Sequence, residues 1–584
     1  MQDTLDKLYT QSQNGKKFTK LVELIRSEEN ILLAYRNLKK NKGSNTAGTD
    51  GLTIADIEEM DIDYYIKYIQ GKIDNYMPKS VRRVEIPKPN GKTRPLGIPC
   101  IDDRIIQQCI KQILEPICEA KFHKHSYGFR PNRSTDNAIS RCMTLINNGK
   151  LHYVVDVDIK GFFDNVNHSK LKKQIWSMGI QDKNLICIIG KILKSEIKGI
   201  GVPDKGTPQG GIISPLLSNI VLNELDWWLS DQWETFETKK DYSSRNRYRA
   251  MKTTNLKELF LVRYADDFKI FCRDYKTAKK IYHATIQWLQ ERLGLEVSED
   301  KSKITNLKKN YTEFLGFRLT VKPKGNKYIC QSRMSKKAIE TTIKNLKKQV
   351  IKIKYKNDKN EVNRLNSMIL GSQNYYNTAT LVTKDFREIN YRVNRVIDIR
   401  LKNYMNNEPK YTKTYERLYK GYNCKARTVN NITLFPIYAV RTNPPLNFTQ
   451  EITNYTPKGR ELIHNKVKDS LGKVIYHLVN NQSEHNSTEY NDNRISLMCG
   501  QQGKCYITGD YLTIGDMECH HKKPRSMGGT DEYNNLVWIC SDAHKLIHAT
   551  KEETINKYLG KLKLNDKSIK RVNTLRKLVG NLAI

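Results

Sequence analysis

No apolar run in the 584-residue chain approaches the length of about 18 residues that spans a bilayer, so insertion into a membrane is not expected. The 12 cysteines fall at irregular spacings with no C-x-x-C pair among them, which argues against a disulfide framework and for reduced, mostly structural thiols. The opening residues, MQDTLDKLYTQSQNGKK, lack the apolar centre of a signal peptide. The expected compartment is therefore the cytoplasm, a bacterial cytosol or nucleoid first and an organelle second. No internal repeat is found, which removes solenoids and propellers. Acidic residues are the other shortage: 62 Asp and Glu stand against 100 Lys and Arg, a formal net charge of +38.

Those basic residues are spread along the whole length rather than gathered in a tail. A basic excess of this size is the footprint of a polyanion binder, because each Lys or Arg meeting a phosphate releases condensed counterions. The alternative, a surface charged only for solubility, rarely needs so much. With 38% hydrophobic residues the chain can bury real cores, and its 32 tyrosines offer flat faces for unpaired bases or ordinary core packing.

The coarse organisation is α+β and multidomain. Residues 1–80 read as helices with an irregular loop, NKGSNTAGTDGLT. RRVEIPKPNGKTRPLGIP reads as two short strands around a Pro-Asn-Gly turn. Amphipathic helices (DDRIIQQCIKQILEPICEA), a strand (LHYVVDVDI) and a hairpin (LFLVRYADDFKIFC) follow, and this region is expected to span 81–325. From 326 to 420 the sequence turns helical, basic and tyrosine-rich. Residues 421–480 are harder to read. NNQSEHNSTEYNDN offers a core almost nothing, so 481–493 reads as a linker, and 494–584 as a last domain.

In LFLVRYADDFKIFC, the residues Ala265 to Asp267 fit a tight turn between two strands, which sets Asp266 and Asp267 side by side in apolar surroundings. Upstream, the strand YVVDVDI runs into Asp158. A strand end delivering one carboxylate beside a hairpin presenting two more would make a three-carboxylate cluster, and like charges that close raise each other's pKa values. Two Mg²⁺ ions relieve the repulsion, since hard cations take carboxylate oxygens and a pair of them can hold both the attacking and the leaving oxygen of a phosphoryl transfer.

Tyr264-Ala265-Asp266-Asp267 with Asp158 upstream resembles the active site of reverse transcriptases, and the surrounding motifs resemble those of enzymes encoded within group II introns. RPLGIP (94–99), GFRPNRS (128–134), GTPQGGIISPLLSNI (206–220), GLEVSEDKSKIT (294–305) and FLGF (314–317) match in order. In the third, Ser214 can cap a helix, Pro215 suits its first turn, and the leucines repeat at helical spacing. The resemblance implies a right-hand-like arrangement with fingers and palm over 81–325, a thumb or maturase domain over 326–420 and a DNA-binding region over 421–480. By resemblance, Asp158, Asp266 and Asp267 are the metal carboxylates, with metal contact by Asp267 left open. Lys88 and Arg94 would grip the incoming triphosphate, with an exposed strand charge as the alternative for either. Gln209 would sit at the tip of the template and nucleotide loop. Lys301 would pass a proton to the departing pyrophosphate or else be one more solvated lysine. Phe163 would collide with a ribose 2′-OH, selecting deoxynucleotides, with core packing as its alternative. The loop NKGSNTAGTDG resembles the N-terminal extension of intron-encoded enzymes, and ILGSQNYYN, with Tyr375 and Tyr376, resembles their thumb.

Near the end, GDMECHHKKPRSMGGTDEYNNLVWICSDAHKLIHATKEE places two adjacent histidines before a Gly-Gly turn, two asparagines after it, and His544 and His548 at i, i+4. SDAHKLIHAT reads as a helix capped by Ser541 or Asp542, so both rings share one face. This stretch resembles an HNH nuclease of the ββα-metal type. The resemblance implies His520 as a metal ligand, His521 as the general base, Asn535 as the residue holding the loop, and His544 with His548 completing the shell around one divalent ion. Relatives with two C-x-x-C pairs bind structural zinc. Here Cys505 is followed at the matching place by Thr508 and Cys540 by Ala543, so no four-cysteine zinc site is expected, with Cys499 or Cys519 the only substitutes.

Together these readings imply a ribonucleoprotein mobility enzyme. It would bind its own intron RNA, assist splicing, and copy the intron into target DNA from dNTPs at a 3′-OH exposed by the HNH domain. Its oligomeric state is left open. Two rivals are a splicing cofactor with little polymerase activity and a defence or host-adapted reverse transcriptase that has left its intron.

Overall fold

The apolar runs on either side of the paired aspartates form an antiparallel hairpin, Leu259–Tyr264 and Asp267–Cys272. Ala265 and Asp266 alone make its turn, and Asp267, expected in the turn, is the first residue of the second strand. Both strands are buried almost end to end. Near-continuous apolar sequence is what strands covered by other elements need, and the helices Thr135–Asn147, Ser214–Asp231 and Tyr275–Trp288 pack on this sheet. The computed structural model describes all residues except 40, 42, 88–92, 209, 407, 465–473, 475, 476, 479–486, 513 and 563.

The chain divides into two compact units. The unit formed by Lys121–Met178 and Val202–Phe448 is built on a four-stranded antiparallel sheet in the order Leu259–Tyr264, Asp267–Cys272, Tyr153–Val157, Lys303–Asn306. A second sheet joins Thr312–Phe314, Phe317–Lys324 and Lys327–Met334. It leads into three long helices, Lys336–Lys356, Lys359–Tyr376 and Val382–Arg400. The first of these buries Ile339, Ile343, Leu346, Val350 and Ile353, a helical stripe, and Ser335 caps it by accepting from the Ala338 amide.

The other unit comprises Met1–Ala120, Gly179–Gly201 and Thr449–Ile584. Its centre is the helix Ile101–Glu119, whose apolar side is covered by Gln2–Gln13 and Glu28–Lys39. The basic hairpin forms as expected from Arg82–Pro87 and Thr93–Ile98, with Arg94 opposite Ile86. Toward the end of the chain, Glu518–His521 pairs with Leu536–Ile539, and the helix Ser541–His548 follows directly. Val537, Trp538, Ile539, Leu546 and Ile547 bind these three elements into one core.

Several expectations are revised. Residues 81–120 and 179–201 fall in the same unit as the first and last parts of the chain. Of the stretch read as a linker, 481–486 lie outside the described residues, whereas 488–493 are helical, within Thr488–Gly500. Ser487 caps that helix, and the buried Asn493 donates to the Asp531 carbonyl at 2.8 Å, so asparagine here fills a polar interior rather than solvent. Ser214 does not cap its helix: its hydroxyl donates to the Pro208 carbonyl at 2.8 Å. The N-cap of Ser541–His548 is Cys540, not Ser541 or Asp542. Among the described residues no helix is long and apolar enough to cross a membrane.

Candidate active sites

The strand Tyr153–Val157 lies beside Asp267–Cys272, with Val157 opposite Phe268 at the end of the ladder. Carrying this register one residue further sets Asp158 opposite Asp267, and directly opposed residues bring their Cβ atoms to about 5 Å. Asp266 stands next to them in the turn, so the three carboxylates are delivered to one end of the sheet. The Asp158 amide donates to the Ser302 hydroxyl at 3.0 Å. Lys301 reaches the Asp158 carboxylate at 3.0 Å, an exposed pair.

Side chains alternate along a strand, so Asp156 lies on the same face as Asp158, and its ladder partner is Lys269. The Lys269 ammonium is buried, 3.0 Å from Asp156 and 3.4 Å from Asp267. Thr312 donates to both oxygens of Asp156, at 2.9 and 3.0 Å. Burial works to strip the proton from Lys269, but Asp156 and Asp267 outweigh it and hold the ammonium above its usual range. Loss of hydration pushes the Asp267 carboxyl up, Lys269 opposes, and Asp156 and Asp266 add to the rise. A carboxylate group so crowded is a donor set suited to hard cations.

The turn is closely packed. Ala265 has a left-handed φ of 58°, and a Cβ on Gly128 would come within 2.2 Å of the Ala265 nitrogen, so GFRPNRS can lie against the turn only with glycine there. Phe162 is buried and leaves Phe163 half-buried with its ring edge-on to Phe129, centroids 6.4 Å apart. The Phe163 carbonyl accepts from the Thr207 amide at 2.7 Å. Gly206 has a φ of 97° and a Cβ there would press on the carbonyls of Phe163 and Asp164, so the GTPQGG loop is tied to Phe163 through its backbone. Gln209 and Lys88 lie outside the described residues, and Arg94 is placed by its backbone in the basic hairpin. Tyr375 and Tyr376 both pack on Phe317 of FLGF.

In the histidine-rich region, His520 comes from the first strand and His544 and His548 from the following helix. Their ligand atoms all lie within 4.8 Å of one another. Burial, then the neighbouring imidazoles, lowers the His520 pKa to about 3, and burial lowers His544 and His548 as well, so all three rings keep free lone pairs near neutrality. His520 Nε2 is buried without a hydrogen-bond partner among the described residues. A buried polar atom left unpaired is costly unless a ligand satisfies it, so the three residues fit a divalent metal. His521 points elsewhere: its Nε2 lies 2.8 Å from Asp531, and its ring stacks on Tyr490 at 5.3 Å and 8°. Arg525 donates to both oxygens of Asp531 at 2.7 Å, and Ser487 adds a further bond. Those bonds hold Asp531 below the usual carboxylate range against its burial. Asn535 accepts from the Lys523 amide at 2.9 Å and donates to the carbonyls of Lys523 and Thr530, closing the loop between the strands. The Cys505 and Cys540 sulfurs lie 3.8 Å apart.

Asp156, Lys269 and Asp531 were not singled out from the sequence. The first was signalled by the D-x-D alternation in YVVDVDI, which puts two acids on one strand face. Asp531 follows the Gly-Gly turn directly, where a charged residue can fold back on His521. Lys269 had no local signal, because its partner lies on another strand.

The family model for reverse transcriptase (RNA-dependent DNA polymerase) matches residues 86–319, and that for HNH endonuclease matches 497–550. Over 319 residues the chain is 33% identical to Protein YkfC of Escherichia coli (strain K12), covering 52% of this chain and 83% of that protein. Over 374 residues it is 32% identical to the group II intron-encoded protein LtrA of Lactococcus lactis subsp. cremoris, covering 55% of this chain and 60% of that protein.

Proposed function

The chain belongs to the reverse transcriptases encoded by group II introns, in a form that carries an HNH endonuclease domain, and from this we propose how its residues divide the work. It is a multifunctional intron-encoded protein: an RNA-directed DNA polymerase, a maturase for its intron RNA, and a DNA endonuclease. The observation that carries the polymerase reading is that Asp158 directly follows the strand end at Val157, whose ladder partner Phe268 adjoins Asp267, with Asp266 in the adjoining turn. A splicing cofactor alone would leave both matched domains without work, and a reverse transcriptase parted from its intron would leave the HNH domain without any.

Fingers and palm correspond to 81–325, the thumb or maturase domain to 326–420, a DNA-binding region to 421–480 and a ββα-metal nuclease domain to 494–584. Reverse transcriptases and HNH nucleases use divalent metals such as Mg²⁺. Two such ions would be held by Asp158, Asp266 and Asp267, and one by His520, His544 and His548. Such ions would supply neutralisation of phosphate charge there and would favour the deprotonated form of the attacking oxygen. Lys88 and Arg94 grip the triphosphate, Gln209 contacts the template and Phe163 excludes a 2′-OH. Lys301 hands a proton to the pyrophosphate. In the nuclease domain His521 takes a proton from water, with Asp531 fixing its ring and Asn535 its loop. The partners are intron RNA, target DNA and dNTPs, and the site of action is the cytoplasm.

The test is extension of a DNA primer on an RNA template with dNTPs and Mg²⁺, beside the Asp266→Ala/Asp267→Ala double variant. Extension by the wild type and its loss in the folded variant are expected. A folded wild type that does not extend the primer overturns the polymerase reading. Nicking of duplex target DNA by the ribonucleoprotein, lost in His521→Ala with extension retained, tests the second activity in the same way.

A further inference from the structure

Arg263 lies directly behind the aspartate turn and is entirely buried, as are Asp226 and Asn219 on the helix Ser214–Asp231. Its Nε and Nη2 donate to the two oxygens of Asp226 at 2.7 and 2.6 Å. Its Nη1 donates to Asn219 Oδ1 at 2.9 Å and, at 2.7 Å, to the carbonyl of Ala265. Asn219 in turn donates to the Gly128 carbonyl at 2.9 Å. The Arg263 backbone is tied to the same region, its amide donating to His125 and its carbonyl accepting from Tyr127.

A buried ion pair is a weak source of stability, because desolvation offsets the attraction and an apolar pair of equal volume packs as well. What an apolar pair cannot do is donate to the Ala265 carbonyl. That carbonyl belongs to the peptide joining Ala265 to Asp266, and Ala265 holds the left-handed φ that an unsupported alanine disfavours. The guanidinium has a planar fork of fixed donors. Anchored on three sides by Asp226 and Asn219, it has one direction left, and that direction is the peptide plane from which Asp266 projects.

We propose that Arg263 is a positioning residue for polymerisation: held by Asp226 and Asn219, it fixes the Ala265–Asp266 peptide and so the direction in which Asp266 presents its carboxylate to metal and nucleotide. Gly128 lies against the backbone of the turn, and Arg263 donates to its Ala265 carbonyl. The inference rests on the polymerase reading given above.

The experiment compares single-turnover primer extension by the full chain with that of Arg263→Met/Asp226→Leu, which replaces the pair by apolar residues, and of Arg263→Lys, which keeps the charge but not the fork. A displacement of about 1 Å at a reacting group costs on the order of 100-fold, so the double variant is expected to lose about that factor in kcat and to need more Mg²⁺ for half-maximal rate. Its thermal unfolding midpoint and its affinity for primer-template should stay near wild type, and the KM for dNTP should change by no more than about threefold. A purely packing role would restore kcat together with stability. A folded double variant within about twofold of wild type in kcat and Mg²⁺ midpoint overturns the proposal. If the double variant does not fold, Arg263→Lys decides by the same two readouts. A wild type without extension sinks the polymerase reading and the inference with it, an outcome distinct from a normal rate in the variants.

Discussion

Lys269 stands with its ammonium between two carboxylates, and only one of them, Asp267, belongs to the proposed chemistry. The other, Asp156, is buried and held by Thr312, so it cannot turn to water if the lysine is removed. Breaking one half of a buried pair costs about 3–5 kcal/mol because a charge is left unpaired, whereas replacing both halves can be neutral. Lys269→Met is therefore expected to destabilise its unit by about 3 kcal/mol, and Lys269→Met/Asp156→Leu to recover most of it. Chemical denaturation of the three proteins measures this; equal stability of wild type and the single variant would show that the pair is solvated. Legibility at this scale follows chemistry. Asp158, Asp266, Asp267 and the four histidines stand out in the sequence as candidates because such residues, grouped in this way, are expensive without a ligand. Lys269 and Arg263 do not, because a cation in an apolar strand gives no sign of a partner on another strand or helix.

At the scale of elements, the proposed nuclease site is one strand and one helix meeting at right spacing. His544 and His548 are brought together by helical periodicity, which the sequence displays, but their approach to His520 depends on the pairing of Glu518–His521 with Leu536–Ile539, which it does not. His548 is the test of that geometry, since the helix could have served with His544 alone. Changes in residues that merely support a metal's ligands cost 10–100-fold in affinity, so losing a direct ligand in His548→Ala should weaken Mn²⁺ binding by at least about tenfold. Isothermal titration reads this without any nuclease assay, and unchanged affinity would remove His548 from the shell. Element types were mostly legible here because hydrophobic period fixes them. Ends were not: Cys540 rather than Ser541 begins the helix, and Asp267 enters the strand, because one residue's difference at an end depends on which backbone groups find partners. The polar stretch ending at Asn493 misled for a related reason, as composition cannot tell a solvated asparagine from one buried against Asp531.

For the whole molecule, the charge of +38 is the property that no single site explains. The three proposed catalytic aspartates need only a few cations around them, which leaves most of the excess available to phosphates elsewhere along a polyanion. The grouping of Met1–Ala120 with Thr449–Ile584 in one unit was not legible, because composition reads a chain in order and contacts do not follow that order. Charge is different, since it sums over the chain whatever the fold. Binding of intron RNA should therefore weaken steeply with salt. A protein neutralising about six to ten phosphates loses on the order of 10³–10⁵ in affinity between 50 and 200 mM salt. Filter binding over that range is expected to show such a loss for wild type and an equal slope for Asp266→Ala/Asp267→Ala, because the aspartates take no part in phosphate neutralisation across the RNA. A logarithmic slope flatter than about −2 would mean that only one or two phosphates are engaged, and the basic excess would then be a solubility surface rather than the means by which the chain holds RNA.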